Sequence, residues 1–588
     1  MTPNKINPPN NYRYAVVHLI NSSSFHYVQS PTTAGLDPRP RDPLARLRSG
    51  DATGHNEALQ LLTIGVIWMV HGHYSIPQIT PDEIPGTVDL CKFYQNLLHP
   101  NFVHAYIYIM AFTITEADAV DTTSKGKDKK IDDNAISRHL SNNATQADHE
   151  GQGKAYDVET QRAIQGDAHF HRLSWRRLTV VLIVEAIALG SLSLPAAFAT
   201  LGMVAGVILC IGVGLVAMYA SYILGEVKLR YPEVAHYADI GRLMMGGIGS
   251  KLFSIIFASQ LILITGSHCL TGTIAFETIT GSGVCSLAFG VVSAIILFLL
   301  AIPPSFTEAA ILGYIDFASI IIAIGITMIA TGIQSSSQPG GLGASTWSAW
   351  PQKNLTFSEA IVAVNSIVFA YAFAGAQPSF MDEMHTPKDY IKSIWWLGVI
   401  EVVIYTITGA VIYAFVGQDV QSPALLSAGS VVSRVAFGVA LPVIFISGSI
   451  NTTVVARFIH GRIYRNSITR YVNTVRGWVS WLAVVGIVTL IAWIIAEAIP
   501  FFSELLSISS SLFVSGLSFY LPPVMWYVLL KEGEWYERRN WKTAFFNGSV
   551  FIIGIIILVC GTYASIVELI HKFQRHAVNR PFTCQSLA

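Results

Sequence analysis

From about Trp175 onward, one apolar run of membrane-spanning length follows another almost to the end of the chain. Eleven such runs occur, at about 177–200, 203–225, 252–275, 285–303, 309–332, 357–380, 393–416, 434–456, 477–499, 505–530 and 545–570. A helix needs ~20 largely apolar residues to cross the hydrocarbon of a bilayer. No water is present there to satisfy the backbone, so each run is predicted to be a helix that bonds its own amides. Charge agrees, because only 13% of the residues are charged, against about 25% in a typical soluble domain. The expected fold class is an all-α polytopic membrane protein with eleven transmembrane helices.

The chain before these runs is different. Residues 1–170 contain no apolar stretch of spanning length, and the longest candidate, Leu61–Val70, falls well short. Asp118–Asp167 is polar and charged, with KGKDKK at 125–130, a composition that cannot bury enough apolar surface to fold. The expected division is a disordered cytosolic tail over 1–170, a transmembrane domain over 171–572 and a short C-terminal tail over 573–588. Within the first of these, 1–109 has no coherent pattern and Met110 opens an ordinary acidic tail, so 1–109 is expected to be an upstream start or a gene-model artefact. Met1–Asn11 is polar and lacks the apolar core of a signal peptide.

Lys and Arg in short loops set the orientation. With the N-terminus inside, the inner loops hold Lys228, Arg230, Arg242 and Lys251, then Lys388 and Lys392, then five arginines from Arg457 to Arg476. Lys531, Arg538, Arg539 and Lys542 complete the set. Outside are only Lys353 and Arg434, apart from Lys572, Arg575 and Arg580 in the C-terminal tail. This predicts N-in, C-out. Of five Asn-x-Ser/Thr sites, Asn354 alone falls in an outer loop and is the glycosylation candidate. Asn451 lies within a span, Asn547 on the inner side, and Asn21 and Asn143 in the tail. The cysteines include no CxxC, and Cys269 and Cys285 are placed near one face, either paired or as free thiols.

Two spans carry the pattern of an interrupted helix. The first runs through Gly190-Ser191-Leu192-Ser193-Leu194-Pro195 and the sixth through Phe369-Ala370-Tyr371-Ala372-Phe373-Ala374-Gly375-Ala376-Gln377-Pro378. Glycine permits departure from the helix, and proline suits the first turn of a new one. Spans one to five and six to ten would have opposite orientations, so the two breaks occupy corresponding places in an inverted 5+5 repeat. Freed amides would bind a carboxylate, and freed carbonyls an ammonium group, which together describe an α-amino acid. The residues placed at this site are Ile187, Gly190, Ser191, Leu192 and Ser193 on the first span, and Phe369, Ala370, Phe373 and Ala374 on the sixth. Pro kinks and small-residue helix packing are the alternative.

Ionisable groups inside spans cost roughly 3 kcal/mol each at the centre of a bilayer and mark functional sites. Glu185, five residues before the first break, and His268 on the third span are the candidates for proton coupling. Asp316 and Glu401 are weaker ones. Thr452 and Thr453 on the eighth span, near Ser447, Ser449 and Asn451, are the candidate ion-site residues, unless their hydroxyls bond their own backbone. No cofactor or metal is expected. Neither HExxH nor GxSxG occurs, which argues against an enzyme, and zero net charge argues against a nucleic-acid partner.

GSLSLPAAFATLG at 190–202, YPEVAHYADIGRLMMGG at 231–247, FAYAFAGAQPSFMDEM at 369–384 and NTTVVARFIHGRIY at 451–464 together resemble the amino acid/auxin permease family, and within it the fungal neutral amino acid transporter branch. The resemblance covers about 173–545. It implies the bacterial leucine-transporter fold, here with one further helix, and proton-coupled uptake of neutral amino acids in a lipid bilayer by alternating access. Gln377-Pro378 departs from the pattern expected there. Sodium is the less favoured coupling ion. The plasma membrane is the expected location, the vacuolar membrane the alternative, and a sensor of the same fold with little transport is the rival function. The oligomeric state is not readable.

Overall fold

Among the described residues, thirteen α-helices run through the computed structural model of this protein. It describes residues 173–281, 284–339, 341–465, 467–575 and 582–584, without the side chains of 306–311, 342, 344 and 468. The N-terminal tail, with Asn21 and Asn143, lies outside the described residues. The helices are α1 Trp175–Leu201, α2 Met203–Arg230, α3 Tyr237–Thr280, α4 Ser286–Leu300, α5 Phe306–Ser337, α6 Phe357–Ala370 and α7 Gln377–Asp382. They continue with α8 Tyr390–Val416, α9 Ser430–Ile463, α10 Val475–Ala498, α11 Phe502–Ser509, α12 Leu521–Met525 and α13 Trp541–Gln574. Among the described residues, nine helical stretches are long and apolar enough to cross a membrane, and α4 and α6 are shorter apolar helices. No strand is formed among the described residues; one isolated bridge joins Leu173 and Met384.

Local chemistry sets the helix ends. Thr356 and Glu359 form a reciprocal cap at the start of α6, satisfying donors that have no partner within the helix. The first amides of α2 are taken instead by the connection ahead of α6: Met203 donates to the Ser348 carbonyl (3.0 Å) and Val204 to that of Ala349 (3.0 Å). This close approach needs Gly202, which has φ 82° and where a Cβ would fall 2.6 Å from the Trp350 carbonyl carbon. Only glycine accepts both conditions.

α1 is the most enclosed of the candidate spans, 89% of its apolar window being buried inside the protein. It packs against α6, α8 and α5. α3 runs along α9, and both touch α4 and α10. α5 lies against α9 as well as α1, while α11 and the π-helical stretch after it lie against α6 and α3. Large apolar side chains such as Ile208, Leu215, Ile487 and Ile552 face outward, as a lipid-facing surface requires.

Three expectations need correction. The first span is not interrupted: α1 is one continuous helix with Pro195 inside it. Pro195 brings no amide for the Ser191 carbonyl. In the surrounding turn the Ser191 hydroxyl donates to the Ile187 carbonyl (2.7 Å) and that of Ser193 to the Gly190 carbonyl (3.0 Å), so both hydroxyls bond their own helix. The tenth span, read as a plain helix, turns π-helical over Ser510–Tyr520 and again over Trp526–Leu530. Finally, Cys285 is disulfide-bonded to Cys584, 299 residues away, and Cys269 is free and buried. Cys269 lies inside α3 with its thiol directed at the Gly290 carbonyl (3.6 Å), while Cys285 sits half-buried just ahead of α4.

Candidate functional site

The sixth span is interrupted where its sequence suggested. α6 stops at Ala370, Tyr371 leaves helical geometry (φ −104°, ψ 36°), a 3-10 turn spans Ala372–Gly375, and α7 begins at Gln377 with Pro378 in its first turn. Two side chains hold the break open. The Tyr371 hydroxyl crosses to the Cys210 carbonyl of α2 (2.9 Å). Gln377 donates to the Ser221 carbonyl (3.0 Å) and accepts from the Ser221 hydroxyl. Gln377 is therefore spent on α2 and does not line the break.

α1 meets the break at Gly190. A Cβ there would lie 2.9 Å from the Cα and Cβ of Ala370 and 3.0 Å from the Tyr405 hydroxyl. That hydroxyl lies 2.7 Å from the Ala186 carbonyl and 2.9 Å from the Ala370 carbonyl. It has one proton, so it serves one of the two at a time. On the other side, a Cβ at Gly375 would fall 2.5 Å from Gln260 Oε1 of α3, a buried oxygen with no hydrogen bond.

Ile187, Gly190, Ser191, Leu192 and Ser193 are buried where α1 crosses the break, and Phe369, Ala370, Phe373 and Ala374 are buried on it. The structure thus brings the two groups together, although α1 stays helical through Gly190–Leu194 and has no break there to free its amides. The break at Tyr371 takes Phe369 and Phe373 off a shared helix face. Glu185 is buried one turn before Gly190 with Oε2 unbonded, and Glu401 of α8 is buried with neither oxygen bonded. Glu401 lies within electrostatic reach of Glu185. The sequence showed both acids within apolar runs but not their proximity, which depends on how α1 and α8 pack.

His268 of α3 is buried with Nδ1 unbonded, and its Nε2 is 3.3 Å from the Ser447 hydroxyl of α9. Thr452 and Thr453 donate to the Gly448 (3.0 Å) and Ser449 (2.9 Å) carbonyls of their own helix, which is the behaviour ordinary for hydroxyls in membrane helices. Asn354 is exposed in the turn ahead of α6. Among the described residues, no three or more His, Cys, Asp or Glu side chains are grouped to hold a metal.

The arginine-rich end of the bundle is latched on one segment, Ser379–His385. Leu173 pairs with the Glu383 carbonyl (2.9 Å) and the His385 amide (3.0 Å). Lys228 binds Asp382 (2.7 Å), Arg457 binds Glu383, and His236 Nδ1 meets the Ser379 hydroxyl (2.8 Å). The His236 ring lies between Phe257 and Phe458, with an edge on a cavity of about 240 Å³ that Asp382 and Arg457 also line. Desolvation, with help from Arg457, Arg470 and Arg462 and against the pull of Asp382, pushes its pKa down to about 3. This latch was missed in the sequence because its partners are up to 212 residues apart, Leu173 and His385 being the farthest.

Comparison with known proteins points one way. The family model described as transmembrane amino acid transporter protein matches residues 171–567. The N amino acid transport system protein of Neurospora crassa is 57% identical over 468 residues, covering 79% of this chain and 100% of that relative. A transmembrane transporter of Fusarium pseudograminearum is 27% identical over 74% of this chain and 91% of its own length. Lysine histidine transporter-like 6 of Arabidopsis thaliana is 25% identical over 67% of this chain and 91% of its own length.

Proposed function

We propose, from the premise that this chain belongs to the transmembrane amino acid transporter family, that it is a secondary carrier importing neutral amino acids by proton symport. The observation that carries this reading is the broken sixth span seated against the small-residue face of α1. Ligand binds between Ile187–Ser193 and Phe369–Ala374. The Ala370 carbonyl, which ends α6 and shares the Tyr405 proton with that of Ala186, is suited to an ammonium group. Ile187, Leu192, Phe369 and Phe373 present apolar walls and no charge, which suits neutral side chains. Glu185 and His268 are the proton-coupling candidates.

The arrangement as an inverted 5+5 repeat with one further helix, eleven spans in all, has support in the helix contacts. α5 lies on α1 and α9, as the tenth span lies on α6 and α3; α3 touches α4 and α10, as α9 touches α10 and α4. Each pair of contacts exchanges when spans are renumbered by five, the relation an inverted repeat requires. The N-in, C-out orientation puts Cys285 and Cys584 on the outer side, where disulfides persist. Localisation in the plasma membrane fits import from the medium.

The test is uptake of a panel of radiolabelled amino acids into proteoliposomes, with and without an inward proton gradient. Neutral amino acids are expected to accumulate, and the gradient to increase their accumulation. Preference for basic or acidic amino acids would remove the substrate assignment, and indifference to the gradient would remove the symport.

A further inference from the structure

We infer that Asp316, Ser447 and His268 form a proton-binding site among α5, α9 and α3, apart from the α1–α6 contact. The inference rests on the symport reading and extends it to a residue outside that contact. Asp316 and His268 are 0% and 1% exposed. Neither carboxyl oxygen of Asp316 closes a hydrogen bond, although the carboxyl lies close to the Ser447 backbone. The Ser447 hydroxyl, on the same residue, is 3.3 Å from His268 Nε2, and His268 Nδ1 is unbonded. The imidazole comes this near because residue 448 is glycine, where a Cβ would fall 2.7 Å from the His268 Cβ. One turn along α5, the Ser319 hydroxyl donates to the Val439 carbonyl (2.5 Å), which ties α5 to α9 beside the acid.

A buried carboxylate without donors or a counter-charge is costly, so the seated group is held as the neutral acid. It must shed its proton when the carrier opens this region to water. His268 can take that proton through Ser447: as opening brings the carboxyl onto the Ser447 hydroxyl, the carboxyl proton passes to that hydroxyl while the hydroxyl proton passes to neutral His268 Nε2, leaving a carboxylate and an imidazolium whose charges offset each other until water takes the proton. The titratable and charged groups on the packed elements are Arg176, Arg177 and Glu185 on α1, Asp239, Arg242, Lys251 and Glu277 on α3, Glu308 on α5, Lys392 and Glu401 on α8, Arg434, Arg457, His460 and Arg462 on α9, Arg476 and Glu497 on α10, and Glu504 on α11. Of these, Glu185 neighbours Val184, against which Gly313 of α5 packs. α4 contributes none.

The test uses the full chain in proteoliposomes and compares gradient-driven accumulation with amino acid exchange at equal pH on both sides. Asp316→Asn is expected to lower gradient-driven accumulation about tenfold or more, the scale of a lost linkage between two ligands. Exchange should persist and lose its pH dependence, a change that a merely structural Asp316 would not produce. Asp316→Glu should restore part of the accumulation. Should Asp316→Asn fail to reach the membrane, His268→Gln carries the same expectation. A variant that accumulates substrate as the unaltered carrier does, with the same pH profile, overturns the inference and leaves the symport standing. An unaltered carrier that ignores the proton gradient removes the symport, and the inference with it.

Discussion

At the scale of single residues, Gly190 shows how one observation carries two readings. In the sequence it stands where a helix was expected to break. In the structure its backbone is helical, and it is the missing side chain that matters, because Ala370 and Tyr405 occupy the space. Gly190→Val forces α1 away from the break in the sixth span. Overpacking of this kind costs about 1–3 kcal/mol, and the clash here is partly with backbone. Uptake should fall about tenfold or more while the protein still reaches the membrane, with Gly190→Ala intermediate. Uptake kinetics unchanged in the valine variant would mean that the two spans are not in contact in the working carrier. The acids tell a complementary story: Glu185, Asp316 and Glu401 are legible as buried acids from their apolar surroundings alone, whereas their partners are not.

At the scale of elements, two Gly/Pro-containing spans meet different ends. α1 stays helical through Pro195, packed among α5, α6 and α8, whereas the sixth span opens where Tyr371 and Gln377 find partners on α2. Composition alone cannot separate the cases, since what differs is the neighbouring helix. The short α7 leads into the latch, where Glu383 is 1% exposed and paired with Arg457. Arg457→Ala strands that carboxylate, and breaking a buried pair from one side typically costs about 3–5 kcal/mol. The purified variant should melt well below the unaltered protein, and Arg457→Lys should recover part of the loss. Equal melting temperatures for Arg457→Ala and the unaltered chain would show that the pair contributes nothing.

At the scale of the molecule, topology and disulfide make one joint prediction. An impermeant maleimide applied to intact cells should label Cys584 only after external reduction, and an N-terminal epitope should be reached only after permeabilisation. Labelling that requires permeabilisation would invert the proposed orientation and place the Cys285–Cys584 bond in a reducing compartment, where it would not persist.

Hydropathy and loop charge are summed along the chain, so they survive without knowledge of any neighbour. The helical class, the apolar stretches that become helices and the charge bias of the loops follow from such local sums. Pairings across long separations do not. Cys285 with Cys584, Arg457 with Glu383, Tyr405 between Ala186 and Ala370, and Ser447 with His268 are set by which helix faces touch. Whether a glycine serves as a hinge or as a space for its neighbour is settled there too, because a break in a membrane helix persists only where another element takes up the backbone groups it frees.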